Sequence, residues 1–345
     1  MTKTTKKYKY NFSRVFSTIM LFPIVAIISK RRFNNFRDFC FTYPRFGRYQ
    51  GNNEYYKKIP TETNTLEYHY WDLEKINLKF KSFEKDELEE YQIQTDKGNI
   101  SCLKAIVNNS SKWVFGLHGW TEDKYLGLRL VRHFYEKGYN ILTFDSFAHG
   151  KSYGENTDIG YSSIEMMDAI IEDLKKTHKV TSIGLIGNSM GASTSVLYSQ
   201  KGNYKDLISW VVSDCGFSSI KLQYRYYIQN NLFKKPWWLV SFGYTKKLSK
   251  LTKTNQNKYN LLKYMNLNKN IPIFFVHGKG DTFIAYEMSW DMYEKKVKSE
   301  PNPPISKMWT PEGSEHVYMI SDYYNEYITK TLEFAKESEK LINEK

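Results

Sequence analysis

Ser189 stands between Gly187 and Gly191 in the run Gly-Asn-Ser-Met-Gly. A serine hydroxyl is a weak nucleophile, and it attacks a carbonyl carbon only when a neighbouring base takes its proton. Glycines two residues before and after the serine permit a sharp turn that carries the hydroxyl out of the chain. The spacing therefore predicts a nucleophilic serine, provided that a histidine and an acid come close to it in the fold.

Two late segments supply candidates for this base and for the acid that orients it. Asp281 follows one apolar run and His316 follows the next, which gives the chain order Ser189, Asp281, His316. This serine–acid–histidine order differs from the orders of the two well-known serine-protease classes. Asp281 is the preferred acid, while Asp214 and Asp145 are alternatives because each also ends an apolar run.

A loop suited to holding developing negative charge comes earlier in the chain. Residues 113–117 are predicted to form a strand, and the triplet of residues 118–120, which ends in Trp120, follows it. Attack on a carbonyl places negative charge on its oxygen, which two backbone N–H groups can stabilise. We expect one N–H from Trp120 and the other from Met190, directly after the candidate nucleophile.

These residues need a sheet and helices to position them, and the apolar pattern predicts both. Apolar runs alternate with amphipathic stretches at residues 113–117, 125–136, 140–144, 162–177, 183–186 and 192–200, and further strands are predicted at 271–276 and 306–309. Residues 90–95 and 100–107 form a predicted edge hairpin. The alternation indicates an α/β fold with a mostly parallel sheet and helices on both faces.

Two further motifs add a family resemblance. Taken with the serine turn, two segments are similar to the α/β-hydrolase superfamily: residues 145–152 (Asp-Ser-Phe-Ala-His-Gly-Lys-Ser) and 212–217 (Val-Ser-Asp-Cys-Gly-Phe). The resemblance extends from about Glu90 to the C-terminus. The second segment resembles a bacterial, membrane-linked branch of uncharacterised serine hydrolases. The resemblance implies the α/β-hydrolase fold, a helical cap insertion and esterase- or lipase-like activity without a metal or organic cofactor. Trp120 is bulkier than expected in this loop and is predicted to shape an acyl pocket.

Charge is distributed unevenly along the chain. Residues 1–60 hold 13 Lys and Arg against two acids, and residues 216–270 hold 11 Lys and Arg and no acid. The rest of the chain carries a net charge of −9, within a total of +13. We therefore predict a basic N-terminal arm over 1–60, a catalytic domain over 61–345, and a basic cap insertion over 216–270 within it.

The arm contains a candidate membrane anchor. Residues 15–29 are uncharged and mostly apolar, and Lys and Arg flank them on both sides. Fifteen helical residues extend about 22 Å, less than the roughly 30 Å of a bilayer core. A single-pass anchor, an interfacial helix, and a cleaved signal or soluble arm all remain open, as does the orientation. The chain is expected at the cell membrane, integral or peripheral.

The cap mixes aromatic residues with lysines at residues 232–240. One interpretation is that such a segment covers an acyl pocket and contacts an anionic bilayer. The other is that its aromatic side chains pack on the body while its lysines face water. The preferred interpretation is packing for most of these residues, and the two interpretations are compatible.

Other functional classes fit less well. Gly150-Lys151-Ser152 has Asp145 where a phosphate-binding loop needs glycine, and no metal-ligand spacing is present. Three widely spaced cysteines do not predict a disulfide. His277 has no suggestive partner in the sequence and is expected to be a surface or packing residue. No nucleic-acid motif accompanies the basic segments, so nucleic-acid binding is disfavoured.

The residues together predict a membrane-associated serine hydrolase that cleaves carboxylic esters, with an acyl or lipid-like substrate preferred. Ser189 attacks the carbonyl, His316 transfers the proton, and Asp281 orients His316. An amide or peptide hydrolase and a catalytically inactive membrane-bound scaffold are the alternatives. The oligomeric state is left open.

Overall fold

Eight strands form one sheet in the computed structural model, which describes residues 1–42 and 62–343. The strands are β1 (Glu89–Thr95), β2 (Gly98–Ala105), β3 (Lys112–Leu117), β4 (Asn140–Phe144), β5 (Ser182–Asn188), β6 (Ile208–Asp214), β7 (Ile273–Val276) and β8 (Lys307–Trp309). Their order in the sheet is β1-β2-β4-β3-β5-β6-β7-β8. β2 pairs antiparallel with β1 and β4, and all other pairs are parallel. The predicted mostly parallel sheet and its edge hairpin are confirmed.

Thirteen α-helices are present in the described part of the chain. They are α1 (Lys3–Lys7), α2 (Phe12–Met20), α3 (Phe22–Thr42), α4 (Leu66–Lys75), α5 (Arg132–Tyr135), α6 (Ser163–Thr177), α7 (Met190–Lys201), α8 (Ile220–Tyr227), α9 (Trp237–Val240), α10 (Tyr244–Leu251), α11 (Glu287–Val297), α12 (Met319–Asp322) and α13 (Tyr324–Asn343). The helices predicted at 162–177 and 192–200 correspond to α6 and α7. The stretch 125–136 forms a 3₁₀ turn followed by the short α5 rather than one helix.

The sheet has a hydrophobic core on each face, because successive side chains of a strand point to opposite sides. In β3, Trp113 and Phe115 belong to the core shared with α6, α7 and α11, whereas Val114 belongs to the core shared with α5 and α13. All three side chains are fully buried. Helices therefore cover both faces, as the alternating pattern predicts.

The expected continuous helix over residues 15–29 is wrong. α2 ends at Met20, α3 begins at Phe22, and the chain bends by 94° between the two helices. Pro23 explains the break, because it has no N–H to donate to the carbonyl of Ile19 and its ring would clash there; within the first turn of a new helix it is tolerated. Between residues 1 and 42 and between 62 and 343, no single helix has the length and apolarity needed to cross a bilayer.

The arm and the cap pack on each other. The chain between β6 and β7 contains α8, a π-helical turn, α9 and α10, within the predicted cap segment. α3 lies along them: the Phe36 ring contacts the rings of Tyr224 and Tyr244 at centroid distances of 5.2 and 5.3 Å. Ser29 Oγ accepts a hydrogen bond from the Phe242 N–H at 3.1 Å. The arm is therefore part of the folded body up to residue 42, and residues 43–61 lie outside the described part.

Aromatic packing accounts for part of the cap sequence. Trp237 is buried and its indole N–H donates to the carbonyl of Lys7 in the arm, whereas Lys234 and Lys235 are exposed. Pro236 immediately precedes α9, where its missing N–H leaves no helical hydrogen bond unmade. The packing interpretation holds for Trp237, and the lysines remain available to an anionic partner.

Candidate active site

Ser189 lies in a strained turn between β5 and α7. Its backbone has φ 53° and ψ −112°, a conformation that is costly for a residue with a Cβ. A Cβ at Gly191 would lie 2.0 Å from the carbonyl oxygen of Leu117, and one at Gly187 would lie 2.4 Å from the carbonyl carbon of Gly191. Only glycine fits at both positions, so the two flanking glycines are a physical requirement of this turn.

A chain of hydrogen bonds joins Ser189, His316 and Asp281. His316 Nε2 lies 2.9 Å from Ser189 Oγ, and His316 Nδ1 lies 2.7 Å from Asp281 Oδ2. Because Oδ2 can only accept, Nδ1 carries the ring proton and Nε2 presents a lone pair to the serine hydroxyl. The structure thus brings together three side chains that the sequence places 35 and 127 residues apart.

Four donors hold the Asp281 carboxylate. Oδ1 accepts the backbone N–H groups of Phe283 and Ile284, each at 2.8 Å, and Oδ2 accepts from His277 Nε2 at 3.0 Å as well as from His316. Burial alone would raise the Asp281 pKa, but the two imidazoles and these hydrogen bonds hold the pKa well below its usual range. The carboxylate is therefore ionised and fixed in orientation.

His277 is one of the residues whose role the sequence interpretation missed. It is buried, and its Nδ1 lies 2.8 Å from Ser289 Oγ while its Nε2 faces Asp281 and the carbonyl of Ile284. Its position four residues before the acid was the available signal, but nothing in the sequence indicates that the chain turns back there.

The charge on Asp281 also sets the basicity of His316. Burial would lower the His316 pKa, but the adjacent carboxylate and its hydrogen bond outweigh burial and raise the pKa above its ordinary value. An imidazole held in this way accepts a proton more readily than an isolated one, which is the property that a general base needs.

The two alternative acids lie elsewhere. Asp214 ends β6, where burial raises its pKa to about 6 and its backbone carbonyl accepts from the N–H of Ser189. Asp145 accepts from the Lys124 backbone N–H at 2.9 Å and from Asn64 Nδ2 at 2.8 Å. Only Asp281, of the three candidates, hydrogen-bonds to His316.

The loop after β3 lies against the serine turn. A Cβ on Gly191 would come within 2.7 Å of the carbonyl oxygen of His118, so the two backbones touch. Trp120 lies two residues after His118, and Met190 directly precedes Gly191. The Met190 N–H belongs to the first turn of α7, where backbone donors have no partner within the helix. The positions expected for an oxyanion site are thus on adjoining segments.

An ion-pair network that no sequence motif predicts fixes this loop. Glu122 accepts from the N–H of Gly119 at 2.6 Å and from Asn188 Nδ2 at 3.0 Å, and it pairs with Arg129, which also contacts Asp72. Burial would raise the Glu122 pKa, but the Arg129 charge and these hydrogen bonds lower it. The ionised Glu122 therefore ties the loop to the residue that precedes the serine.

An apolar pocket of about 40 Å³ opens beside the site. Its walls come from three parts of the chain: the arm, the cap and the body. They include Phe36, Phe39 and Cys40 of α3, Ile220, Tyr224 and Tyr227 of the cap, and Trp120, Met190 and Phe283 of the body. The Phe283 ring lies 4.8 Å from the His316 ring and 6.3 Å from the Trp120 ring. The prediction that Trp120 shapes a pocket is consistent with this position.

One group of potential metal ligands occurs among the described residues. The Sγ of Cys215 and ligand atoms of Asp281 and His316 lie within 4.8 Å of one another. Burial raises the Cys215 pKa well above its ordinary value, so the thiol stays protonated and is a poor ligand. The carboxylate and imidazole already bond to each other, and we therefore assign these atoms to the hydrogen-bond chain.

The chain is similar to known proteins in sequence and in fold. The model of a family described as the alpha/beta hydrolase fold matches residues 112–242. The chain is 25% identical over 267 residues to the uncharacterized protein YqkD of Bacillus subtilis, covering 74% of this chain and 81% of that protein.

Solved structures are similar over most of the chain. The esterase Pf2001 of Pyrococcus furiosus superposes with a TM-score of 0.59 at 26% identity, covering 75% of this chain and 95% of that one. An acylaminoacyl peptidase of Pyrococcus horikoshii superposes with a TM-score of 0.55 at 17% identity, covering 77% and 43% respectively. At that identity the likeness to the peptidase concerns the fold alone.

Proposed function

Because the chain is a hydrolase of the α/β-hydrolase fold, we propose that it cleaves carboxylic esters and that Ser189 is its nucleophile. The observation that carries the proposal is the continuous hydrogen-bond chain from Asp281 through His316 to Ser189, beside an apolar pocket. The likeness to the Pyrococcus furiosus esterase supports the reaction class.

The geometry supports a two-step mechanism. Ser189 Oγ attacks the ester carbonyl carbon while His316 Nε2 takes the hydroxyl proton, and Asp281 stabilises the imidazolium that forms. The N–H groups of Trp120 and Met190 hold the negative oxygen. The C–O bond then breaks, His316 protonates the leaving alcohol, and an acyl-enzyme remains. Water, deprotonated by His316, attacks the acyl-enzyme and releases the carboxylic acid and Ser189.

The pocket supports an apolar acyl group as the part of the substrate that is recognised. None of its lining side chains carries a formal charge at neutral pH, since the Cys40 thiol is buried and its pKa is raised. The pocket measures about 40 Å³, well below the roughly 300 to 1,000 Å³ of typical ligand sites, so it favours a short acyl chain. Longer chains require α3 or the cap to shift, since both contribute walls.

The amide-hydrolase and inactive-scaffold alternatives receive less support. The same hydrogen-bond chain could serve an amide, but the likeness to the acylaminoacyl peptidase is one of fold only. A scaffold that had lost activity would need no ionised acid aligned with a base and a serine, and these three groups are within hydrogen-bonding distance.

We expect a fluorophosphonate probe to label Ser189, because the probe reacts only with an activated serine hydroxyl. Peptide mass spectrometry should locate the adduct on Ser189 in the wild type and show strongly reduced labelling in His316→Ala. His178→Ala is a matched control: its ring packs on Trp113, away from the hydrogen-bond chain, and labelling should persist. A folded wild type that remains unlabelled would contradict the proposal.

Ester hydrolysis should increase with pH through the pKa of His316, because only the neutral imidazole accepts the serine proton. Asp281 raises that pKa, so half-maximal kcat/KM should lie above the value of about 6.5 typical of free histidine. Asp281→Asn removes the charge and should move the residual activity profile to lower pH. A pH series of initial rates on a soluble ester tests this, and a profile unaffected by Asp281→Asn would count against the pairing.

A further inference from the structure

Exposed apolar side chains are concentrated at the bend between α2 and α3. Nine of the 18 large hydrophobic side chains that are exposed in the described residues lie between residues 12 and 27, with Phe12 at 87% and Ile19 and Met20 at 65% exposure. They are Phe12, Val15, Phe16, Ile19, Met20, Leu21, Phe22, Ile24 and Ile27. Scattered exposed apolar residues are ordinary, but a contiguous group of this size marks a contact surface. We call residues 12–27 the apolar knee.

Positive charge surrounds the apolar knee. Lys6, Lys7 and Lys9 are exposed on its N-terminal side, and Lys30, Arg31 and Arg32 are exposed on its C-terminal side. The first acidic residue of the chain is Asp38. An apolar surface rimmed by Lys and Arg matches a bilayer that carries anionic headgroups, since the apolar side chains enter the acyl boundary while the cations meet the phosphates.

A basic cavity adjoins this surface. It measures about 270 Å³, lies between the arm and the cap, and includes Lys221, Arg225 and Lys246 but no acidic residue in its lining. Arg225 stacks on Trp237 at 4.0 Å and donates to the carbonyl of Tyr8 at 2.8 Å, so its position is fixed. Burial, together with the nearby Arg225 charge, lowers the Lys221 pKa. An anionic phosphate is the group that would relieve this repulsion.

We propose that the apolar knee docks the protein on the surface of an anionic bilayer as a monotopic element, with lipid phosphates over the adjacent basic cavity. Neither helix alone is long and apolar enough to cross a bilayer, and the two meet at a bend of 94°. α2 extends about 13 Å, well short of a bilayer core of about 30 Å. From Val25 onward α3 has buried positions, and Ser29 and Phe36 hold it against the cap.

α3 also connects the docking surface to the acyl pocket. Along the helix axis, Phe22 in the knee and Cys40 are 18 residues apart, which is about 27 Å. Phe39 and Cys40 line the pocket. The Cys40 carbonyl accepts the Trp120 indole N–H at 3.3 Å. If the proposed ester hydrolysis is correct, which this step requires, the docked enzyme takes acyl substrates from the membrane, and vesicles should increase turnover of long-chain esters.

The test is flotation of the full chain with phosphatidylcholine vesicles, with and without about 30% phosphatidylglycerol. We expect wild-type protein to float with the anionic vesicles and to be released partly by about 0.5 M salt. Phe16→Ser combined with Ile19→Ser should weaken partitioning at least about tenfold, because two exposed apolar side chains leave the bilayer. Leu267→Ser is the matched control, since Leu267 is as exposed as Phe16, at 56%.

Each outcome has a defined meaning. Wild-type protein that stays with the aqueous fraction, a double variant that floats as well as the wild type, or a stable dimer that buries the knee would each overturn the docking proposal. Flotation does not depend on catalysis, so protein that floats but cleaves no ester would instead overturn the proposed function. Retained turnover of a soluble short-chain ester by the double variant checks that it is folded.

Discussion

Ser189→Ala should reduce kcat/KM for a soluble aryl ester by about 10³- to 10⁶-fold. The substitution removes the only atom that forms the acyl-enzyme, while the backbone turn and the glycines that permit it are unchanged. The hydroxyl contacts His316 Nε2 at 2.9 Å, so its loss removes one hydrogen bond at the site. Initial rates on an aryl acetate measure the effect, and circular dichroism checks that the variant is folded.

Ser195→Ala is the matched control for this result. Ser195 lies in α7, the helix that follows Ser189, is also buried, and donates its hydroxyl to the carbonyl of Gly191 at 2.8 Å rather than to an imidazole. Loss of such an intrahelical bond has little energetic consequence, so activity should stay near that of the wild type. If Ser189→Ala retained wild-type activity, Ser189 could not be the nucleophile; equal losses in both variants would show that the effect is not specific to the Ser189 hydroxyl.

Asp281→Asn should lower kcat by about 10³- to 10⁴-fold while leaving substrate binding largely intact. The carboxamide oxygen can keep the hydrogen bonds from the N–H groups of Phe283 and Ile284, which places the NH₂ group toward His316. Facing a donor, the imidazole must present Nδ1 as an acceptor and carry its proton on Nε2. In that tautomer it cannot accept the proton of Ser189.

Asp214→Asn separates this explanation from general damage to the site. Asp214 is a buried aspartate at the end of the neighbouring strand, but its carboxylate does not hydrogen-bond to His316, so its substitution should change kcat by less than about tenfold. Measured kcat and KM for both variants test the assignment. If Asp214→Asn caused the larger loss, the acid would be Asp214 and the pairing proposed for Asp281 would be wrong.

The local parts of the site were predictable from sequence because their signals are local. The turn at Ser189 and the two glycines that it requires all lie within five residues of the chain. Asp281 and His316 each follow a short apolar strand. Carboxyl ends of parallel strands meet at one edge of a sheet, so chain order alone predicts that these side chains approach one another. The mostly parallel sheet follows from the same alternation of apolar and amphipathic stretches.

The remaining parts depend on contacts that no local pattern encodes. Glu122, Arg129 and Asp72 form their network across 57 residues of chain, and His277 reaches Asp281 only because the chain turns between them. Pro23 is a sequence signal for the break at Leu21, but the apolar composition of the residues around Pro23 favours one continuous helix. The use of the arm as a pocket wall could not be predicted, because Cys40 and Trp120 lie 80 residues apart.

The contacts of the arm have a consequence for the order in which the protein is made. Thr5 donates its hydroxyl to Asp291 across 286 residues of chain, and Arg225 donates to Tyr8 across 217. At a synthesis rate of about 5 to 20 residues per second, roughly 15 to 60 s separate the emergence of Thr5 from that of its partner. The cap residue Arg225 emerges roughly 11 to 43 s after Tyr8, and until then the helices of the arm have no cap to pack against.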